Sequence, residues 1–435
     1  MDYNNNKRWL KPLASAVSLI LVSLPSYAVM KPLDDHSLRD ATGQAAFYTT
    51  YIAPPSGLTG SGTNTSDFGF FKLGLNATIQ LNANIDHLQL GCGGVKGPGC
   101  DIDINNVGLS GLAPATSTTR QSTDAVLTNP FIQLAIKNPT SLSTRQLVGF
   151  NLGAQKADGM LTFGTANDGT LNGINSLSGY LEVKNQTGQA TVNPDTFTQT
   201  DTGIALKGLA CDSYFGSCGL IKTTYTSTSY TLTLTPSGTT TINLPTQSIS
   251  GSRISSKDLT ASAIINGLSL SGPISANTGI GIPLSGQAAG TLNNLNVDVT
   301  IHENLGLVHS ANLNGSPVAL SLQNQQIQWP GAKSVAETGW WLELSNPIDI
   351  GNVTPNKNVD IPLATVKDSL AIVNTYLSTY YVKCGPFTIS CLAGNIDVGT
   401  INLPNTANHA PLSLTDLTLI NQKFSPNCYG SLKFC

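Results

Sequence analysis

Residues 71 to 85, FKLGLNATIQLNANI, place an apolar side chain at every second position: Phe71, Leu73, Leu75, Ala77, Ile79, Leu81, Ala83 and Ile85 alternate with Lys72, Asn76, Thr78, Gln80, Asn82 and Asn84. Only an extended chain sends successive side chains to opposite faces, so the period selects a β-strand over a helix. Unbroken, the stretch predicts a ribbon of roughly 50 Å, far beyond the usual five or six residues of a strand.

The same period returns at Leu232 and Leu234, pauses at the turn former Pro236-Ser237-Gly238, and resumes at Ile242 and Leu244. It recurs at Leu295, Val297, Val299 and Ile301, at Val318, Leu320 and Leu322, and at Trp340, Leu342 and Leu344. The expected fold is therefore mainly β, an elongated antiparallel sheet or sandwich with long strands. The recurring phrases NNVGLSGL, INSLSGYL and INGLSLSG keep a β-solenoid as the alternative. One segment departs from the pattern. Residues 364 to 381 space Val366, Leu370, Val373, Leu377 and Tyr381 three or four apart, which predicts a short amphipathic helix acting as a lid on the sheet.

Residues 1–28 read as a secretory signal: Lys7, Arg8 and Lys11 precede an apolar run from Leu13 to Leu24, and Ser26-Tyr27-Ala28 forms a small-x-small cleavage site. The run is short for a membrane span and nothing later approaches the roughly 20 apolar residues needed, so the mature chain is expected to carry no transmembrane anchor. The expected location is the periplasm, the cell surface or the medium. Residues 29–45 form an N-terminal segment, and 46–435 a β-rich domain with a candidate C-terminal subregion at 331–435.

Export makes the eight cysteines legible, because thiols outside the reducing cytoplasm tend to pair. They fall in four near-identical couples: Cys92 and Cys100, Cys211 and Cys218, Cys384 and Cys391, Cys428 and Cys435. A disulfide needs Cα atoms within about 7 Å, so each couple closes only if the chain doubles back between its members. The intervening Gly-Gly, Gly-Pro-Gly, Gly-Pro and Tyr-Gly-Ser allow that, and four local bridges are predicted, each clamping a loop or hairpin tip. Metal binding would need tighter spacing, and none of the five histidines lies inside a couple.

Only 11% of the chain is charged and the net charge is −3, which gives no electrostatic handle for nucleic acid or an acidic membrane surface. No catalytic pattern is convincing. His302 and His309 in HENLGLVH are seven apart, not the four that puts two histidines on one metal, and on an unbroken strand they would face opposite ways. Asp101, Asp103 and Asn105 share a strand face with oxygen ligands suited to calcium, but lack the loop that completes such a site, so a solvated face is the better reading. Trp340 and Trp341 point to opposite faces, and core packing is the ordinary role for a covered ring. The expectation is a protein without metal or cofactor.

The stretch MKPLDDHSLRDATGQAAF, residues 30 to 47, contains Leu33, Asp34, Asp35, Leu38, Thr42, Gly43 and Gln44 in the order L-D-D-x-x-L-x-x-x-T-G-Q. It resembles the mature start of a group of exported proteobacterial proteins. The block from 88 to 111 and the ending NCYGSLKFC are similar to the FilA-type pilus-system proteins of that group. The resemblance implies a non-enzymatic part in a surface filament or its assembly, with other pilus-system or surface proteins as partners; it carries over no functional residues. Long strands with polar outer faces and few charges leave edges another chain could extend, and the 29–45 segment is a candidate for such pairing or for docking. Leu33, Leu38 and Phe47 fit equally well as parts of the domain's own core. Two other functions fit the same pattern: an exported binding protein or adhesin for a sugar or apolar ligand, and a secreted carbohydrate-active enzyme.

Overall fold

The computed structural model describes residues 46–54, 68–112, 124–214, 217–227, 229–234, 239–277, 283–384, 396–404, 408–420 and 422, all within one unit spanning 46–435. Strands dominate, in sheets of thirteen, five and eight strands among the described residues, none of them closed. The alternating sequences thus build a layered sandwich, not a solenoid. The recurring phrases do not stack as coils: the first two lie in the large sheet and the third begins a strand of the eight-stranded sheet.

The large sheet begins at Phe47–Ile52 and runs through Phe68–Leu75, Ala125–Lys137, Gln146–Asp158, Ser316–Gln323 and Gly339–Ile348 to Ile174–Val183 and Ile102–Ser110. Pairing is mostly antiparallel, with four parallel strand pairs among the described residues. Tyr381–Cys384, Ile396–Asn402 and Ala410–Thr415 each join a neighbour in parallel, as Gly339–Ile348 does to Ile174–Val183. The stretch 331–435 therefore contributes strands to all three sheets.

The expected 50 Å ribbon is divided into Phe68–Leu75, Thr78–Leu81 and Ala83–Leu90. The first break comes from the partner strand. Asn129 takes φ +50° and Pro130 has no N–H to donate, so the ladder slips between Gly74↔Phe131 and Thr78↔Thr128. At Asn82 the chain changes partner, from Ala125–Lys137 to Ile102–Ser110.

The main core joins all three sheets. In Leu295–Asn304 the residues Leu295, Val297, Val299 and Ile301 point inward, and Val297, Val299 and Ile301 stand opposite Ala263, Ala261 and Leu259. The helix Leu363–Leu377 lies over this core and buries Val366, Leu370, Val373 and Leu377. Asn374 ties it to the sheet through Oδ1, which accepts from Lys207 N, and Nδ2, which donates to Ala205 O. It ends before Tyr381, which opens a strand instead of a last helical turn. A second, smaller core of Phe68, Phe70, Ala135, Val148, Ile327, Trp329 and Trp341 occupies the other face of the large sheet.

Candidate functional site

Two of the predicted bridges are present: Cys92–Cys100 closes the turn between Ala83–Leu90 and Ile102–Ser110, and Cys211–Cys218 the hairpin tip between Leu206–Tyr214 and Ser217–Ser227. Their Cα separations, 3.8 and 5.5 Å, meet the distance condition. The 384–391 and 428–435 bridges and the segment holding Leu33, Asp34, Asp35, Leu38, Thr42, Gly43 and Gln44 lie outside the described residues. Among the described residues no helix is long and apolar enough to cross a membrane.

The loop from 91 to 101 is wound around one side chain that its own sequence does not contain. Arg253 donates to Asp101 Oδ1 at 3.0 Å, to the carbonyls of Gly97 and Pro98 at 3.0 Å, and to those of Gly91 and Gly93 at 3.1 and 3.0 Å. A bulge in Gln247–Ile254 aims it there, with Arg253 itself at φ +53° and its N–H on Ser178 Oγ. Lys96 adds a second cation to Asp101, at 3.1 Å. Burial would raise the Asp101 carboxyl, but the Trp340 N–H, Arg253 and Lys96 outweigh it and hold the group below the ordinary aspartate range. A Cβ at Gly91 or Gly339 would collide with Asp101 Oδ2, so glycine is required on both sides of the carboxylate.

This arrangement corrects the reading of Asp101, Asp103 and Asn105 as a solvated face. Asp101 is buried among cations, and Asp103 accepts from Asn175, Gln89 and His87. The strand carrying His302 ends at Asn304. His302 sits exposed against Asp258 Oδ1 at 2.6 Å, while His309 is fully buried with Nδ1 2.9 Å from Phe163 O. Trp341 is core and Trp340 packs partly buried against the main core.

Glu303 was missed by sequence reading, although parity identifies it: it is the fifth inward position after Leu295, Val297, Val299 and Ile301. Burial between the sheets pushes its carboxyl up to about 8, partly opposed by the Leu417 N–H and reinforced by Asp416. The adjoining apolar cavity, lined in part by Leu177, Leu244, Ile301 and Leu344, has only about 60 Å³ of free volume, well below the roughly 300–1,000 Å³ of a drug-sized ligand pocket.

Two surfaces remain, on opposite faces of the large sheet. On one, Tyr51, Phe71, Leu73, Ile132, Leu152 and Leu322 are exposed, with the Tyr51 and Phe71 rings stacked at 4.3 Å. The strand Phe47–Ile52 borders this wing; Phe47 is 62% exposed, which excludes it from the core. On the other face, a pocket of about 210 Å³, mainly apolar but with Lys72, Asn151 and Ser321 in its lining, opens between the sheet and the chain crossing it at 329–336. Comparison with known proteins finds no matching family model, no matching curated protein and no matching solved structure.

Proposed function

We propose that the chain is an exported, non-enzymatic component of a cell-surface pilus-like system, structural or accessory, that takes a strand from a partner subunit along the Phe47–Ile52 edge. The observation carrying this reading is that edge: among the described residues it pairs only with Phe68–Leu75. Its sequence, FYTTYI, has none of the charges or prolines that usually guard an open strand. Backbone pairing would supply the affinity, and the exposed apolar side chains beside it would be covered by the same partner. The 33–44 motif, which resembles pilus-system proteins, directly precedes this strand in the sequence, and the two disulfides suit a chain that matures outside the cytoplasm.

The test is to shear intact cells gently and locate the mature chain by antibody among filaments, periplasm and membranes. Recovery with the filaments is expected, together with loss from that fraction of a Phe47→Lys, Tyr51→Lys variant that keeps its thermal midpoint. Wild-type chain found only as a free periplasmic monomer would overturn the proposal.

A further inference from the structure

The strand Gln146–Asp158 presents Gly149, Asn151 and Gly153 on the face opposite the apolar wing. A Cβ at Gly149 would stand 2.8 Å from Trp329 Cζ2, and one at Gly153 would stand 2.6 Å from Phe131 Cζ. The two glycines therefore let an aromatic ring settle on each side of the Asn151 amide. Across the neighbouring strands the same register carries Lys72, Gln133 and Ser321. The result is a floor of amide, hydroxyl and ammonium groups between flat apolar walls.

Two groups in the pocket have chemistry to spare. Asn151 is 2% exposed; among the described residues its Oδ1 has no hydrogen-bond partner, and its Nδ2 makes a long 3.4 Å bond to Gln133 Oε1. Buried acceptors of this kind are rare because leaving them unpaired is costly. Lys72 has no carboxylate partner among the described residues; its ammonium stands 4.0 Å from the centre of the Phe131 ring, and burial lowers its pKa. The Glu343 carboxylate on the wall is already engaged by Lys333 N, Ser334 Oγ and Ser345 Oγ.

We propose that this pocket binds one neutral sugar ring, its C–H face on the Phe131 side and its hydroxyls on Asn151, Ser321 and Lys72. The roughly 210 Å³ of space limits the occupant to a single ring. A hydroxyl donates to the unpaired Asn151 Oδ1, and other hydroxyl oxygens accept from Lys72. Half-buried Phe131 and Pro330 supply the apolar contact that such a ring needs. The exposed apolar wing beside the Phe47–Ile52 edge lies on the opposite face, so a docked partner would leave this pocket open.

The experiment is a titration of the purified mature chain with free glucose, galactose and N-acetylglucosamine, read by tryptophan emission and by calorimetry. A ligand this small is expected to bind with a millimolar Kd. Asn151→Ala should weaken binding at least tenfold. Ala319→Leu, which fills the pocket without removing a polar group, should abolish it, with both variants keeping the wild-type thermal midpoint. Should Asn151→Ala fail to fold, the Ala319→Leu result decides. Absence of saturable binding by all three sugars, undiminished binding in a folded variant, or a preference for glucuronic acid over glucose would each overturn the proposal.

Discussion

Replacing Arg253 by Asn is the sharpest test of how the Cys92–Cys100 loop is held. Asn tolerates the left-handed backbone at this position, so the change removes the guanidinium without adding strain. If the Arg253–Asp101 pair behaved as a surface ion pair it would contribute about 0–1 kcal/mol. It is not exposed: the side chains are 16% and 4% accessible. Removing one partner of a buried pair costs roughly 3–5 kcal/mol. Two features favour the low end. Lys96 stays on the same Asp101 oxygen, and the carbonyls of Gly93, Gly97 and Pro98 lie in a turn that water can reach. The expected loss is therefore about 3 kcal/mol, measured as a lower urea midpoint at unchanged slope. Arg253→Lys should recover less than half, because an ammonium cannot span Asp101 and four carbonyls at once. A double-mutant cycle with Asp101→Asn should show coupling above about 1 kcal/mol. A loss below about 1 kcal/mol for Arg253→Asn would refute the reasoning, since the loop would then be held by its disulfide alone.

Glu303→Gln should change the pH dependence of stability. The folded pKa of Glu303 lies above its unfolded value, so wild-type stability is fully present below about pH 4.5 and declines as pH rises through about 8. The variant should match wild type near pH 4.5 and exceed it at pH 9 by up to about 5 kcal/mol, with equal denaturation midpoints at both pH values contradicting the burial argument. Non-reducing peptide mapping should find all four local bridges, 92–100, 211–218, 384–391 and 428–435, whereas a link such as Cys211 to Cys384 would defeat local clamping. Leu370→Ala, in the helix over the main core, should cost roughly 2–5 kcal/mol in urea unfolding; a cost under about 1 kcal/mol would mean that the helix does not close the core.

The strands were legible because alternation is a local property. The inward run of Leu295, Val297, Val299 and Ile301, and the helical spacing of Val366, Leu370, Val373 and Leu377, each survive in the structure. Alternation does not say which face will be covered. Phe71, Leu73, Ile79 and Leu81 alternate like the buried runs but are exposed, because no described layer lies over that part of the sheet. The break in the predicted ribbon was hidden for a related reason, since Asn129 and Pro130 sit on the partner strand. Arg253 was invisible as well. Nothing in CGGVKGPGC indicates that an arginine more than 150 residues away would fill the loop. The pocket left a fainter signal, the spacing Gly149, Asn151, Gly153, which acquires meaning only when Trp329 and Phe131 arrive from other elements.

An exposed apolar wing would be a liability if its strands depended on it for stability, and the reverse face indicates that they do not. There Phe70 and Trp329 pack with ring centres 5.8 Å apart, Trp329 Nε1 donates to Gln323 Oε1 at 3.3 Å, and Gly149 gives the indole a flat seat. This small core holds Phe68–Leu75, Ala125–Lys137 and Gln146–Asp158 together from one side, leaving the other free for a partner. Trp329→Ala should accordingly cost roughly 3–5 kcal/mol, and the loss should be local. In hydrogen exchange the three strands should lose protection while Leu295–Asn304, buried in the main core, keeps its own. The same variant should lose sugar binding and partner docking together, because the pocket is built on those strands and the Phe47–Ile52 edge hangs on Phe68–Leu75. Uniform loss of protection across the chain would show that the two cores unfold as one, and the wing would then need the main core, not Trp329, to keep its face presented.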